Sequence, residues 1–509
     1  MKKKKKDIYV FKKRMKLNNI NKNIINHLTR NSKAIYNTTI YYSKKILNKD
    51  NDFLLLYNNF IKKYKAPIDK LSQNGICMYL SKHYYNYKYM SNHISQQSIK
   101  KAYKAIQSFF ELKKSGIQNA QFPKYLKKDS RYNVCFTKNI FKKIKCNNKY
   151  FIRLTLGKYI QNNFIHISKA TKYSTINNKK YYPKNKIVTK KQNKLYCKIG
   201  KKQYVNNKYI IKGMHMKCPI PKHIYEKNII EIEIKPVLNG IHYELIVKYE
   251  VPLIKIDKTI KNPIAIDLGL NNLLTIFGLK INPLIINGRI LKSINQYYNK
   301  TLSKLKRKHA KILNKTQNKK SIKYIKLKQS RKIKRLFNRR NNKINNELHQ
   351  ISRYMINYCI ANKIDTIIIG YIKGWKQKCN MGSKTNQNFV QIPFLNLINK
   401  LKYKSYREGI QLLLQNESYT SKCDALSNET VRRHKKYNGK RIKRGLFKSG
   451  YKKTLINADV NGAINIYRKT FDLMRKKGRK FNKTLIKQRK KILQQVTKVT
   501  IKASSMRNL

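Results

Sequence analysis

The pattern of apolar and polar positions changes twice along the first half of the chain. Residues 7–15 alternate apolar and basic side chains, which predicts a short strand. Between residues 21 and 116 the apolar positions recur at helical spacing, and Gly116 stands where the last of these helices would end. From residue 117 to residue 260, short alternating runs such as NIIEIEIKPV are separated by Asn, Lys and Gly. This part of the chain is therefore expected to be rich in β-strands.

Strands and helices mix after Pro263. The segment PIAIDLGLNNLLTIFG predicts two strands joined by an Asn-Asn turn. Two long, very basic helices are predicted within residues 291–360, and DTIIIG and IQLLLQ predict buried strands. Residues 422–454 predict an irregular basic segment, and INADVNGAINIYRKTF after it predicts a helix that begins near Asn457.

These patterns together predict a multidomain α+β protein. A chain of 509 residues exceeds what one hydrophobic core usually serves, since domains average about 150 residues. The predicted modules are an N-terminal strand at 1–20, a helical module at 21–116, a β-rich module at 117–260, a mixed α/β domain at 261–480 and a basic tail at 481–509.

The charge balance is extreme, because 118 Lys and Arg face only 21 Asp and Glu and give a formal net charge of +97. AT-rich codons explain part of the Lys excess, but not the depletion of acidic residues, so selection against negative charge is indicated. Such a chain needs a polyanion to neutralise it, and nucleic acid is the obvious partner. For the two basic helices, a positive rod along a duplex is favoured over a merely solvated hairpin.

Several classes of protein are not expected. The eight cysteines form no CxxC pair, so neither a disulfide framework nor a zinc ribbon is indicated. No apolar region follows the charged N-terminus, and no stretch approaches ~18 uncharged apolar residues, so neither a signal peptide nor a membrane partner is expected. We expect a cytoplasmic, nucleoid-associated protein in a bacterium, or a nuclear one in a eukaryote, where Lys2–Lys6 could act as a localisation signal.

Three of the scarce acids lie at the edge of the predicted core. Asp267 lies within an apolar strand, Glu417 follows another strand, and Asp459 lies in the first turn of a helix. An isolated ionised carboxylate in such a place costs several kcal/mol unless something compensates. A Lys or Arg neighbour is one compensation. Divalent cations are the other, because Mg²⁺ prefers carboxylate oxygens, and two such ions about 3.5–4 Å apart can clamp a phosphodiester.

Several ordered motifs resemble a known family. IAIDLGLNN, YTSK and NADVNGAIN occur in that order, accompanied by QIPFLNLINKLKYKSYREGI and YNGKRIKRGLFKS. In these motifs the chain resembles the transposon-encoded TnpB nucleases, which are related to the Fanzor proteins and to the type V CRISPR effectors. The similarity spans residues 263–470. AQFPKYLKKD and the helical module before it are similar to the family's N-terminal half.

The resemblance implies an RNase H-like RuvC nuclease domain at 261–480, a β-rich wedge module and a helical recognition module. It implies an RNA-guided DNA endonuclease of a transposable element, with a guide RNA from the transposon end and a double-stranded DNA target as partners, and a monomer is favoured. The family's three catalytic and metal-binding acids fall on Asp267, on a central Glu and on Asp459, and Glu417 is the candidate for the central one. These acids would hold two Mg²⁺ ions, with Mn²⁺ as an alternative. Asn461 accompanies the last acid and is a candidate nucleic-acid contact.

The central acid departs from the usual pattern of the family. The usual Glu would end the strand TIIIG, where Gly370 stands instead. Some members carry a Glu on the neighbouring strand, and Glu417, just before SYTSK, matches that alternative. Glu417 is therefore expected to replace the usual residue.

The second departure concerns zinc. Most relatives carry two CxxC pairs before the last acid, whereas this interval offers only Cys423 and His434, so no structural zinc is expected. The interval instead holds basic residues that either grip a nucleic-acid backbone or lie in a disordered loop. These residues are Lys440, Arg441, Lys443 and Arg444.

Some interpretations stay open. Trp375 and Lys376 follow a predicted buried strand, where stacking of the indole on a base and packing in the core are equally plausible. Three other functions compete with nuclease activity. The first is a guided DNA-binding protein that has lost cleavage, which Gly370 makes credible. The second is a plain RNA-binding or structural protein, which charge alone supports. The third is a DDE-like transposase, which the YTSK and ADVN motifs disfavour.

Overall fold

A computed structural model divides the chain into two compact units, Met1–Leu253 and Ile254–Leu509. The module boundaries expected within each unit remain predictions. The residues that the structure describes are 6–62, 71–146, 148–157, 159–160, 174–176, 179–181, 196–198, 202–205, 208–211, 215–317, 331–372, 374, 382–427, 429–443, 445–472 and 497–500.

Helices follow the N-terminal strand in the first unit, as the apolar period predicted. They are α1 (Asn19–Leu47), α2 (Asn51–Lys62), α3 (Gln73–His83), α4 (Tyr85–Lys88) and α5 (Asn92–Lys114). Helix α1 begins where the Asn18 side chain accepts a hydrogen bond from the Asn21 amide at 2.8 Å. Helices α1 and α5 pack together along their buried faces, and the hydroxyls of Ser32 and Ser98 hydrogen-bond between them at 2.8 Å.

The rest of the first unit is rich in strands. Its strands are β1 (Lys6–Arg14), β2 (Val134–Thr137), β3 (Phe141–Cys146), β4 (Lys149–Thr155), β5 (Ser174–Ile176), β6 (Lys179–Tyr181), β7 (Tyr196–Lys198), β8 (Lys202–Val205), β9 (Lys208–Ile211), β10 (His215–Ile220), β11 (Ile229–Val237) and β12 (His242–Pro252), with a short helix α6 (Lys222–Tyr225). One sheet has the order β1-β12-β11-β2 and another β3-β4-β10-β7. Strand β1 pairs antiparallel with β12, so the two ends of this unit share a sheet.

The second unit is built on a mixed sheet with the order β17-β16-β13-β14-β15-β21. Its strands are β13 (Pro263–Leu268), β14 (Asn272–Gly278), β15 (Ile281–Asn287), β16 (Thr366–Gly370), β17 (Gln411–Gln415) and β21 (Thr497–Val499). Strands β13, β14 and β15 run antiparallel in sequence order, and β16 and β17 follow parallel to β13 on its other side. Strands β13 and β16 are apolar on both faces because helices cover both.

Helices pack on the two faces of this sheet. They are α7 (Arg289–Gln317), α8 (Arg331–Ala361), α9 (Ser383–Val390), α10 (Phe394–Arg407) and α11 (Ala458–Asp472). Ile264, Ile266 and Ile367 face a core that includes residues of α8 and α10. Ala265 and Ile368 face the opposite way, toward α11. The two faces are thus set by the alternation of side chains along the strands.

Two expectations for this unit have different outcomes. The long basic helices are confirmed as α7 and α8, although residues 318–330 of their connection lie outside the described residues. The segment 422–454 is more regular than expected, because it contributes β18 (Lys440–Lys443) and β19 (Leu446–Lys448), which form a small sheet with β20 (Leu455–Asn457).

Among the described residues, no helix combines the length and apolar character that a membrane crossing requires.

A buried polar network fixes the segment before this small sheet. The Asp424 side chain is fully buried and accepts hydrogen bonds from the Ser449 hydroxyl at 2.7 Å, the Gly450 amide at 2.8 Å and the Leu426 amide at 3.0 Å. Glu429 accepts a hydrogen bond from the Asp424 amide at 2.6 Å. These carboxylates supply cross-links in the interval where relatives were expected to carry zinc ligands.

We predict that Asp424→Ala lowers the free energy of unfolding by about 3–5 kcal/mol, because it leaves several buried donors without an acceptor. Chemical denaturation of the purified protein measures this change. A zinc-selective chelator, added in buffer that contains Mg²⁺, is expected to leave the unfolding of the wild type unchanged, since the segment is held by hydrogen bonds. If that chelator destabilised the wild type while Asp424→Ala did not, a transition-metal ion would be holding the segment instead.

Candidate active site

The register of the sheet brings Asp267 beside the ends of two parallel strands. Ile266 on β13 pairs with Ile369 on β16, so Asp267 continues next to Gly370. Gly370 in turn pairs with Gln415 on β17. Side chains alternate along strands, so Asp267 shares the face of Ala265, which packs toward α11. The carboxyl ends of these strands therefore meet at one place under α11.

Glu417 reaches the same place from beyond β17. An ideal Cβ built on Gly370 would lie 2.8 Å from Glu417 Oε2, so the Glu417 carboxylate fills the space beside that glycine. Residues of α11 hold the turn that follows, because Lys469 Nζ donates to the Ser418 carbonyl at 2.9 Å and Asn465 Nδ2 donates to the Thr420 carbonyl at 2.9 Å. Glu417 Oε2 is itself buried and has no hydrogen-bond partner.

Ile466 packs against Gly370. An ideal Cβ on Gly370 would overlap Ile466 Cδ1 on α11 as well as Glu417 Oε2. Because Cδ1 is the end of a flexible side chain, a larger residue at position 370 would require Ile466 to change its rotamer. Glu417 occupies the space beside Gly370, and its role as the central acid stays a prediction.

Asp459 lies at the start of α11. The Asn457 side chain accepts hydrogen bonds from the amides of Asp459 at 2.9 Å and Val460 at 3.3 Å, which fixes the first turn. Asn272 Nδ2 on β14 donates to Asp459 Oδ2 at 2.7 Å. The Arg441 guanidinium lies 3.9 Å from Asp459 Oδ1. Helix and sheet thus both orient this carboxylate.

Gly462 lets α11 approach Asp267. An ideal Cβ on Gly462 would lie 2.8 Å from Asp267 Oδ2, so a larger residue there would push the helix away from the carboxylate. Asp459 and Gly462 lie three residues apart and therefore on the same face of the helix. This spacing places the Asp459 carboxylate on the face of α11 that packs on the sheet. The space beside Gly462, which the Asp267 carboxylate occupies, lies on the same face.

The electrostatics of the site link Asp267 to both other acids. The pKa of Asp267 lies well above its usual value, because the carboxyl is desolvated and because Glu417 and Asp459 are negatively charged neighbours. Arg441 opposes this shift in the pKa of Asp267. Burial raises the pKa of Glu417 to about 7. Protonation, a cation or both must relieve this repulsion.

The three acids do not converge on one point as the ligands of a single ion would. Their oxygens do not all lie within 4.8 Å of one another. In a two-ion site the outer carboxylates bind different ions, so their oxygens can be farther apart. The buried, unpartnered Glu417 Oε2 is the kind of atom that a metal ion would satisfy.

A second acidic cluster lies in the first unit and has a different character. Its members are Cys135, Glu231 and Glu233, whose potential ligand atoms do lie within 4.8 Å of one another. Lys101 Nζ lies 3.0 Å from Glu233 Oε1, and Lys248 Nζ lies 2.7 Å from Glu231 Oε1. Burial raises the pKa of the Cys135 thiol to about 12, which keeps it protonated. The cluster is an ion-pair network.

Of the predicted nucleic-acid contacts, some lie outside the described residues and others are exposed on strand β18. Trp375, Lys376 and Arg444 lie outside the described residues. Strand β18 presents Lys440, Arg441 and Lys443 as exposed side chains, so all three are open to a ligand.

Asn461 has a structural position. It is fully buried, its Oδ1 accepts from the Ala425 amide at 2.9 Å, and its Nδ2 donates to the Cys423 carbonyl at 2.9 Å. No free amide atom is left for a nucleic acid, so this geometry argues against the expected contact and ties α11 to the preceding segment. The zinc candidates are engaged as well, since Cys423 Sγ donates to the Arg432 carbonyl at 3.4 Å and His434 Nε2 bonds to the Thr430 carbonyl at 2.7 Å.

Three residues of the site were not predicted from the sequence. Asn272 was assigned to turn chemistry, although an Asn at the start of a strand beside a candidate acid could have been considered as its donor. Gly462 and Ile466 act only through packing of α11 on the sheet. No local sequence signal identifies such contacts, apart from the small residues that follow Asp459.

Two regions of the chain match known families. Residues 246–376 match OrfB_IS605, described as a probable transposase, and residues 394–466 match the Cas12f1-like TNB domain. No curated protein sequence matches the chain significantly.

Solved structures give a fold comparison. A Cas12f1-sgRNA-target DNA complex matches at 16% identity with a TM-score of 0.50, covering 87% of this chain and 82% of that chain. At this identity the match bears on the fold alone. A Cas12f ternary complex (16% identity, TM-score 0.29, 87% of this chain and 80% of that chain) and a Cas12i1 R-loop complex (9%, 0.35, 76% and 53%) score too low to support an argument.

The multidomain α+β fold class is confirmed by the architecture and by the likeness to Cas12f1. The two family matches cover the regions that hold Asp267 and Asp459, and they lie on the motifs that resemble those of the TnpB nucleases. The chain is therefore similar to the OrfB_IS605 family in one region and to Cas12f1-like proteins in the other, which supports its resemblance to the TnpB nucleases.

Proposed function

We propose that the chain is an RNA-guided, metal-dependent DNA endonuclease of a transposable element, with a hydrolytic site formed by Asp267, Glu417 and Asp459. One observation carries this proposal. Asp267 is electrostatically coupled to both other acids, in a protein that has only 21 acidic residues against 118 basic ones. Buried carboxylates placed close together are costly, and a catalytic metal site gives a reason to keep them.

The topology supports assigning this unit to the RNase H-like RuvC class. Three antiparallel strands, β13 to β15, are followed by two strands parallel to β13 on its other side. One acid lies near the end of β13, one follows β17, and the third begins the helix that covers one face. The likeness of the fold to Cas12f1 supports the same assignment.

The chain's own residues prepare this site for Mg²⁺ or Mn²⁺. Asp267, Glu417 and Asp459 would hold the ions, and Asn272 keeps the Asp459 carboxylate in place. Such ions, when bound, lower the pKa of a water molecule and neutralise charge on the leaving oxygen. Burial of Glu417 keeps its carboxylate away from bulk water, and its Oε2 has no competing partner.

Arg441 is the side chain best placed to hold the substrate strand. Its guanidinium lies 3.9 Å from Asp459 Oδ1, and the side chain is 47% exposed. An exposed guanidinium beside a metal site can bind a backbone phosphate with two parallel hydrogen bonds. Lys440 and Lys443 on the same strand extend this positive surface.

The proposed partners are a guide RNA and a double-stranded DNA target. The net charge of +97 demands a polyanion of considerable size. The similar Cas12f1 structure was determined with an sgRNA and target DNA, and we extend the same classes of partner to this chain. In this division of labour, base pairing selects the target and the protein supplies the site.

Replacing the acids should separate cutting from binding. Asp267→Asn, Glu417→Gln and Asp459→Asn should each slow cleavage of a matched target in Mg²⁺ by more than about 100-fold, because even outer-shell partners of a metal are worth about 10–100-fold. Binding of guide and target should remain, since the substitutions remove no cation. The measurement is gel analysis of both strands alongside a binding assay.

Glu408→Gln is the matched control, because Glu408 is a partly exposed acid paired with Arg353 at 3.4 Å. It should cut at the wild-type rate. A Glu417→Gln protein with full activity would refute the choice of third acid. Wild-type protein that binds its target but leaves both strands intact would be a guided binding protein, and joined strands would indicate a transposase.

The raised pKa of Glu417 predicts a measurable cost in stability. Its folded-state pKa of about 7 lies above its ordinary value of 4.5, so the folded state binds more protons between these pH values. Stability from this group is therefore lost as the pH rises from about 4.5 to 7. In metal-free buffer, Glu417→Gln should be more stable than the wild type by roughly 2–3 kcal/mol at pH 8 and by much less at pH 5.

Urea denaturation at the two pH values tests this prediction. Adding Mg²⁺ at pH 8 should stabilise the wild type and reduce the difference, because the ions compensate the charge. Equal stabilities at both pH values would mean that the Glu417 carboxylate is not held in a desolvated place.

A further inference from the structure

A cavity of about 230 Å³ lies between the two long basic helices, away from the acids. It is lined on α7 by Ser293, Ile294, Tyr297 and Tyr298, and on α8 by Leu336, Arg339, Arg340 and Lys343. Three of these residues are cations and none is acidic. The cavity is therefore positive along one wall and aromatic along the other.

Tyr297 and Arg340 give the cavity its chemistry. Tyr297 is 61% exposed, although it is a large aromatic residue, so its ring is available to a ligand. Arg340 is fixed before any ligand binds, because its Nε donates to Asn295 Oδ1 at 2.8 Å and its Nη2 donates to the Gln391 carbonyl at 2.9 Å. These acceptors carry no charge, so they orient the guanidinium without neutralising it. It also lies over the Tyr298 ring, 5.4 Å from the centroid.

The floor of the cavity is apolar and the rim is basic. Ile294 and Leu336 are partly buried, whereas Arg339 and Lys343 are exposed one helical turn apart on α8. A flat ring could stack on Tyr297 over the apolar floor while a phosphate binds the rim. An intact duplex offers phosphates but no unstacked base, so it would use the rim alone.

We propose that this cavity binds one unpaired nucleotide of a nucleic-acid strand, with the base stacked on Tyr297 and a phosphate held by Arg339 and Lys343. The ligand is a nucleotide within either an RNA or a DNA single strand. This proposal does not rest on cleavage, since its residues lie outside the acidic site, and a failure of one leaves the other standing.

Affinity for single strands tests the proposal in the full-length protein. Tyr297→Ala should weaken binding of fluorescent single-stranded DNA and RNA by about 5- to 150-fold, the range reported for one stacked base, and should leave binding of a blunt DNA duplex nearly unchanged. Tyr297→Phe keeps the ring and should bind as the wild type does. Because Tyr297 is exposed, its replacement removes little core packing, and the duplex measurement controls for loss of folding.

Arg335 provides a matched control for the charges. It is exposed on the same helix as Arg339, one turn away, but does not line the cavity. Arg339→Ala should weaken single-strand binding more than Arg335→Ala does, because Arg339 lines the cavity and Arg335 does not. If Tyr297→Ala binds single strands as tightly as the wild type, or if it weakens duplex binding to the same extent, the cavity is not a nucleotide site.

Cross-linking identifies the source of the nucleotide. A photoreactive phenylalanine analogue placed at position 297, in a complex with guide RNA and matched DNA, should cross-link to an unpaired position. An RNA adduct assigns the cavity to the guide, and a DNA adduct assigns it to a target strand. If the assembled complex gave neither an RNA adduct nor a DNA adduct, the proposal would be overturned.

Discussion

Burial of neighbouring carboxylates is the constraint around which the second unit is organised. Burial raises the pKa of both Asp267 and Glu417, and the negative charges of Glu417 and Asp459 raise the pKa of Asp267 further. In a strongly basic chain, a neighbouring Lys could neutralise each acid separately. The fold instead holds the acids on one face of a sheet and leaves one Glu417 oxygen without a partner. Burying these carboxylates lowers the stability of the fold, and a bound metal ion would raise it again.

Helix α11 connects the parts of this arrangement. Its first turn carries Asp459, and the lack of a side chain at Gly462 leaves space for the Asp267 carboxylate. Ile466 packs beside Gly370, where the central acid of the family was expected. The same helix holds the segment before the small sheet, where Arg468 Nη2 donates to the Glu429 carbonyl at 2.6 Å. The strand that bears Arg441 is therefore tied to the helix that bears Asp459. Hydrogen bonds thus connect this segment to α11.

Much of this could be predicted from the sequence, and the rest depends on tertiary packing. An acid inside an apolar strand is a strong local signal, and so Asp267 could be found, as could the shift of the central acid to Glu417 once the family motif was recognised. The small sheet at 440–457 was not predicted, because short exposed basic strands lack an apolar period. The burial of Asn461 within α11 was not predicted either, since the type of a polar residue in a helix does not show which face packs inward.

Anomalous diffraction from crystals soaked in Mn²⁺ tests the central claim most directly. The account predicts two anomalous peaks about 3.5–4 Å apart between residues 267, 417 and 459, with Glu417 Oε2 among the ligands. Peaks at Cys135, Glu231 and Glu233 instead, or no metal beside Asp267, would contradict it. In that case the three acids would be a costly cluster without a metal to explain it.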